Sequence, residues 1–190
     1  MVNPLITFLQ QHQPIPEEDK EIIASYFLPK TFKEGEYLFK GGKICQEMFF
    51  ICSGILRIIV INDKGVEVTG FFVKENYLCT LLKSFNNQLP ADEGIRAATD
   101  TSTLSITRTR LLALYRELPY MNELINKITY QRLLDKIQIR NAYLGQDSAT
   151  RYKLFMEQEP DIALRVPLKD IASYLEITPQ SLSRIRKQRY

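Results

Sequence analysis

The chain has 190 residues, of which 45% are apolar and 25% charged, with a formal net charge of +3; this is enough for one large or two small domains with a real core. No apolar run approaches the ~18 residues of a membrane span, and the opening MVNPLITFLQQHQPIPEEDK has no basic start followed by an apolar core, which speaks against a secretory signal and for a cytoplasmic protein. Cys45, Cys52 and Cys79 form no C-x-x-C pair and His12 is the single histidine, so a zinc or iron–sulfur centre lacks its ligands and the thiols read as reduced.

Residues 1–28 read as a helical lead-in. Pro16 with Glu17, Glu18 and Asp19 resembles a helix start, and Ile22, Ile23, Tyr26 and Phe27 recur on a helical period. From Phe32 to about Leu82 short β-branched and aromatic runs take over: 37–39, 48–52, 55–61 and 67–73. Glu34-Gly35, Gly41-Gly42, Ser53-Gly54 and Asn62-Asp63-Lys64-Gly65 separate them, the last being a hairpin loop. Residues 83–94 are polar and irregular, and strands over 95–98 and 101–106 close the section. The spacing predicts a sandwich or barrel.

Residues 111 to about 144 turn helical, with Pro119 in the first turn of a long helix. Leu118, Met121, Ile125 and Ile128 make one apolar stripe; Tyr130, Leu134, Ile137, Asn141 and Leu144 make another. A helix with two apolar faces must bury both. One can cover the barrel while the other pairs with a second chain, or both can be buried within one chain. Pairing is the expectation, with Met121, Ile125, Ile128, Leu134 and Ile137 as the dimer residues. Residues 146–159 form a further amphipathic helix, capped by Asp147 or Ser148.

The tail from Arg165 to Tyr190 carries +4, leaving −1 for the rest of the chain. Pro167 opens a helix with Leu168, Ile171, Ala172 and Leu175 on one face. Glu176-Ile177-Thr178 makes a turn, and Thr178 and Pro179 are a good N-cap and first residue for a second helix. There Leu182 and Ile185 face inward, opposite Gln180, Ser181, Arg184 and Lys187. Gln and Arg suit bidentate contact with base edges. The layout is that of a helix-turn-helix, with Gln180, Ser181 and Arg184 as base readers. Lys169, Thr178, Ser183, Arg186, Lys187 and Arg189 are the phosphate contacts. An ordinary helical hairpin would not need that polar face, though a basic helix end is also a favoured place for cations.

The segments V-P-L-K-D-I-A-S-Y-L-E-I-T-P-Q-S-L-S-R-I-R-K at 166–187, E-G-E-Y-L-F-K-G-G at 34–42 and F-F-I-C-S-G-I-L-R-I at 49–58 resemble the Crp/Fnr family of bacterial transcription regulators. The resemblance implies an α+β chain: an N-terminal helix and double-stranded β-roll of the cyclic-nucleotide-binding (jelly-roll) type over 1–110, a long dimerisation helix over 111–145, and a helix-turn-helix domain over 146–190. It implies a homodimer acting on double-stranded DNA and RNA polymerase. Family members often have Arg where Pro179 stands and Gly where Glu176 stands. Many continue into a β-hairpin wing; here either the wing is absent or its strands lie before the helices, with Ile162–Val166 as one short candidate. The family's Gly-Glu pair and phosphate-binding Arg are missing from 74–98, where Ala91, Asp92 and Glu93 follow Pro90. Cyclic AMP is therefore not expected as cofactor. An alternative is a small-ligand sensor with weak or lost DNA binding, its pocket walled by Phe72, Tyr77, Leu81, Leu82 and Arg96. No nucleophile–base set and no phosphate loop points to an enzyme.

Overall fold

The computed structural model describes residues 3–187. α1 (Pro4–Gln10) is capped by Asn3, whose Oδ1 accepts the Leu5 N–H at 3.0 Å. α2 (Glu17–Tyr26) follows with its acids in the first turn. The chain then runs through β1 (Leu28–Phe32), β2 (Tyr37–Phe39), β3 (Lys43–Ile44), β4 (Glu47–Ser53), β5 (Leu56–Ile61), β6 (Glu67–Val73) and β7 (Leu78–Cys79). After α3 (Leu82–Asn87) come β8 (Pro90–Ala91), β9 (Gly94–Ala97) and β10 (Thr101–Thr107). The helices α4 (Arg108–Glu117), α5 (Tyr120–Tyr143), α6 (Ser148–Gln158), α7 (Pro160–Arg165), α8 (Leu168–Tyr174) and α9 (Pro179–Lys187) complete it.

Two antiparallel four-stranded sheets, β1-β10-β4-β7 and β2-β9-β5-β6, make the β-roll, with the small β3-β8 pair beside them. Strand alternation sorts the side chains. Phe49 and Ile51 of β4 meet Leu56, Ile58, Phe71, Val73 and Ile95 inside the roll. Met48 and Phe50, on the other face of β4, pack under α1, α2, α4 and the start of α5. Phe72, on the outer face of β6, packs with Tyr152, Phe155, Ile171 and Leu182 of the C-terminal helices. Each sheet thus carries a helical layer on its back. The hairpin at Asn62 is closed by Asn62 N–H to Val66 C=O at 3.0 Å, with Gly65 at φ +74° and the Asn62 amide oxygen accepting from Lys64 and Val66. Gly54, at φ +95°, has no room for a Cβ, which would lie 2.4 Å from the Asp100 carbonyl oxygen.

Several expectations change. α1 precedes the expected lead-in helix, and the first strand starts at Leu28 because Pro29 is tolerated on an edge strand. The segment 83–94 holds α3 and β8. The helical stretch from 111 is not one helix: Leu118, at φ −125° and ψ 84°, breaks it, as a residue before proline tends to. The Ile162–Val166 strand is absent; Pro160 at the first position and buried Ile162 make this segment α7. Of the expected dimer residues, Met121, Ile125 and Ile128 are buried in the chain's own core, which also takes in residues of α1, α2, α4 and β4. Leu134 is half-buried and Ile137 exposed. The exposed apolar residues of α5 and its C-cap are Tyr130, Leu133, Ile137 and Leu144, the second expected stripe with Leu133 in place of Leu134.

Candidate DNA interface and roll pocket

α8 and α9 form a helix-turn-helix. Ile171, Ala172, Leu175 and Leu182 are buried together with Tyr152, Phe155 and Ile162, so the two helices are held by α6 and α7 behind them. Glu176 takes the left-handed conformation at φ 56°. Its N–H reaches the Ser173 carbonyl at 3.2 Å, and that of Ile177 reaches Ala172 at 3.0 Å. Thr178 Oγ1 accepts the Ser181 N–H at 3.1 Å and donates to Ser181 Oγ at 3.0 Å, the N-cap its residue type predicts.

Opposite buried Leu182 and half-buried Ile185, α9 leaves Gln180, Ser183, Arg184, Arg186 and Lys187 exposed. Gln180, Arg184 and Lys187 recur at the spacing of one helix face. Ser181 is half-buried and engaged in the cap. Lys169 is exposed at the start of α8. Arg189 lies outside the described residues.

The other face of α8 is fastened to the roll, which the sequence did not announce. Arg57 Nη1 of β5 pairs with Asp170 Oδ1 at 2.7 Å, and both side chains are about nine-tenths buried. The same Nη1 donates to Thr69 Oγ1 at 3.0 Å, and the Thr69 N–H donates to Ser173 Oγ at 2.9 Å. Burial pulls the Arg57 guanidinium below its usual value, partly offset by Asp170. Lys74 bonds Glu159 at 2.8 Å, and Arg165 bonds Glu75 through both guanidinium ends, with Nη1 at 3.0 Å. Burial pushes the Glu75 carboxyl up, but the hydrogen bonds from Arg165 and from backbone N–H groups outweigh it and hold the group below its ordinary value. A lone Arg in the apolar run 55–61 was the one signal in the sequence.

Between the roll and α5 lies a cavity of about 200 Å³. Leu81 and Leu82 line it, with Ile58, Phe71, Arg132 and Lys136. The remaining expected wall residues are elsewhere. Phe72 lies on the opposite face of β6 from Phe71 and packs on Tyr174, ring centroids 5.3 Å apart. Tyr77 is covered by the Arg132 guanidinium at 3.4 Å. Arg96 stacks on Tyr37 and donates to the Gly35 carbonyl at 2.6 Å, outside the cavity. Where a phosphate-binding Arg is usual, β8 and its flank carry Ala91, Asp92 and Glu93, the last on the cavity wall.

Comparison with known proteins gives the same architecture. Residues 29–117 match the cyclic nucleotide-binding domain family. Over 127 residues the chain is 28% identical to the cyclic AMP receptor protein of Thermus thermophilus, covering 64% of this chain and 56% of that one. Among solved structures, the c-di-GMP responsive global regulator CLP of Xanthomonas campestris superposes with a TM-score of 0.71 at 15% identity, covering 91% of both chains. FixK2 of Bradyrhizobium japonicum gives 0.72 at 16% identity, over 85% of this chain and 83% of that one. A Crp/Fnr-family protein from Eubacterium rectale gives 0.70 at 19%, over 92% and 83%. The structural likenesses speak for the fold, and the sequence match for the roll. With a cyclic nucleotide-binding-type roll in front of a helix-turn-helix docked on its outer sheet, the chain shares the fold of these proteins, the Crp/Fnr-family protein of Eubacterium rectale among them.

Proposed function

We propose that this chain is a homodimeric, sequence-specific DNA-binding transcription regulator that does not respond to cyclic AMP. The observation that carries it is α9: a capped helix whose buried side holds Leu182 while Gln180, Arg184 and Lys187 stand exposed on the other. In this reading Gln180, Arg184 and, at the cap, Ser181 read base edges. Lys169, Thr178, Ser183, Arg186, Lys187 and Arg189 hold phosphates. The stripe Tyr130, Leu133, Ile137 and Leu144 has the spacing of a two-chain seam. A dimer along it sets two α9 helices against successive major grooves, about 34 Å apart. A regulator so placed has RNA polymerase as its further partner.

The absence of cyclic AMP response rests on the cassette. Asp92 and Glu93 stand where a phosphate needs a cation, and Arg96 is committed to Tyr37 and Gly35. A second reading, a ligand sensor with lost DNA contact, is favoured by the cavity alone. Binding to a random-sequence duplex across a salt series separates the two: the first reading requires affinity that falls steeply with salt, the second requires none.

A further inference from the structure

The cavity between the roll and α5 has an apolar body and a cationic end. Ile58, Phe71, Leu78 and Leu81 are among its walls, while Lys83, Arg132 and Lys136 stand against the single carboxylate of Glu93 on the lining. Arg132 and Lys136 come from adjacent turns of α5, so their charges converge on one side. Lys136 Nζ lies 4.5 Å over the Phe71 ring, and no carboxylate among the described residues lies within ion-pair distance of it. Arg132 stacks on Tyr77 and reaches Asp135 only at 3.7 Å. Burial pulls the Lys136 ammonium below its usual value: half-buried, it is partly stripped of water without a full counter-charge in return. A cation kept in such a place is costly unless something pairs with it.

We propose that this cavity binds a small apolar carboxylic acid, its hydrocarbon body among the roll's Ile, Leu and Phe side chains and its carboxylate on Lys136 and Arg132 of α5. A dry cavity of about 150 Å³ is known to take up benzene, so about 200 Å³ admits a medium-chain or arylalkyl acid. The carboxylate class follows from the charge balance: an amine would meet three cations, and an alcohol would leave Lys136 unpaired. Two of the three cations, Arg132 and Lys136, sit on α5, and the lone Glu93 carboxylate on the lining offsets only part of their charge. Such a ligand touches Phe71, whose ring lies 6.4 Å from that of Tyr174 in α8, so the cavity is one side chain away from the helix-turn-helix. The proposal concerns the roll and α5 and rests, of the functional reading, only on cyclic AMP not being the ligand.

The test is calorimetric titration of the full chain, without DNA, with octanoate, decanoate and hydrocinnamate. Octanol, octylamine and cyclic AMP serve as comparison. At least one acid is expected to bind at least tenfold more tightly than octanol and octylamine. Lys136→Met should remove that preference while octanol binding persists, and Lys136→Arg should keep it. If no acid outbinds the alcohol and the amine, or if Lys136→Met retains the preference, the proposal is wrong. Tight binding of cyclic AMP would instead contradict the functional reading, and loss of DNA binding would leave the acid titration unaffected.

Discussion

Arg57 and Asp170, 113 positions apart in the chain, meet at 2.7 Å in the seam between the outer sheet of the roll and the first helix of the helix-turn-helix. Removing one partner of a buried pair strands the other charge, at a cost of about 3–5 kcal/mol. Asp170→Ala should therefore lower the stability measured by urea unfolding by that order. The double variant Arg57→Met with Asp170→Leu should recover most of the loss, since apolar groups of similar volume can replace a buried pair without penalty.

In the proposed reading Arg184 is the main base reader on α9. Arg184→Ala should weaken binding at the cognate site by roughly 1–3 kcal/mol, while Lys187→Ala should weaken all duplexes alike and lower the salt slope by about 1. Fluorescence anisotropy on cognate and scrambled duplexes distinguishes the two effects. Both side chains are exposed, so the unfolding midpoint should stay within about 0.5 kcal/mol of the parent.

Ile137 and Leu144 are 48% and 65% exposed in the single chain. Replacing Ile137 by Asp should shift sedimentation from dimer to monomer with little change in the fold of the roll. The same change at Ile125, buried in the core between the roll and the helices, should unfold the chain instead.

Glu176 pays for its left-handed backbone, at φ 56°, with about 1–2 kcal/mol. Its side chain is 77% exposed and meets Arg151 only at 3.9 Å, a contact of little worth. Glu176→Gly relieves the backbone but adds freedom to the unfolded chain, so a net gain of up to about 1 kcal/mol in thermal or urea unfolding is expected.

The Glu75–Arg165 link predicts an acid dependence. The folded-state value of Glu75 is lowered, so its contribution is fully present above the unfolded value of about 4.3 and is lost as pH falls through the lower folded value. The stability difference between the parent and Glu75→Gln should therefore be larger at pH 7 than at about pH 3.

Much of this was readable in advance, and the misses have physical causes. The helix-turn-helix was legible because apolar spacing, Thr178 and Pro179 all point to the same two helices. Strand 67–73 was legible, but not its facing: alternation sends Phe71 and Val73 inward and Phe72 outward, so Phe72 belongs to the helix-turn-helix seam and not to the pocket. The break at Leu118 lay in the residue-before-proline rule. Periodicity marked both stripes of α5; that the one with Met121, Ile125 and Ile128 is taken up by the chain's own core is a tertiary fact. The pairing of Arg57 with Asp170 likewise arises only once β5 and α8 are brought together.

Selection of bound duplexes from a random pool, run with the parent and with Arg184→Ala, tests the DNA-binding assignment most directly. The predicted result is enrichment of paired, inverted half-sites about 10 base pairs apart, centre to centre, by the parent alone. A pool that shows no enrichment, or the same enrichment with Arg184→Ala, would contradict it.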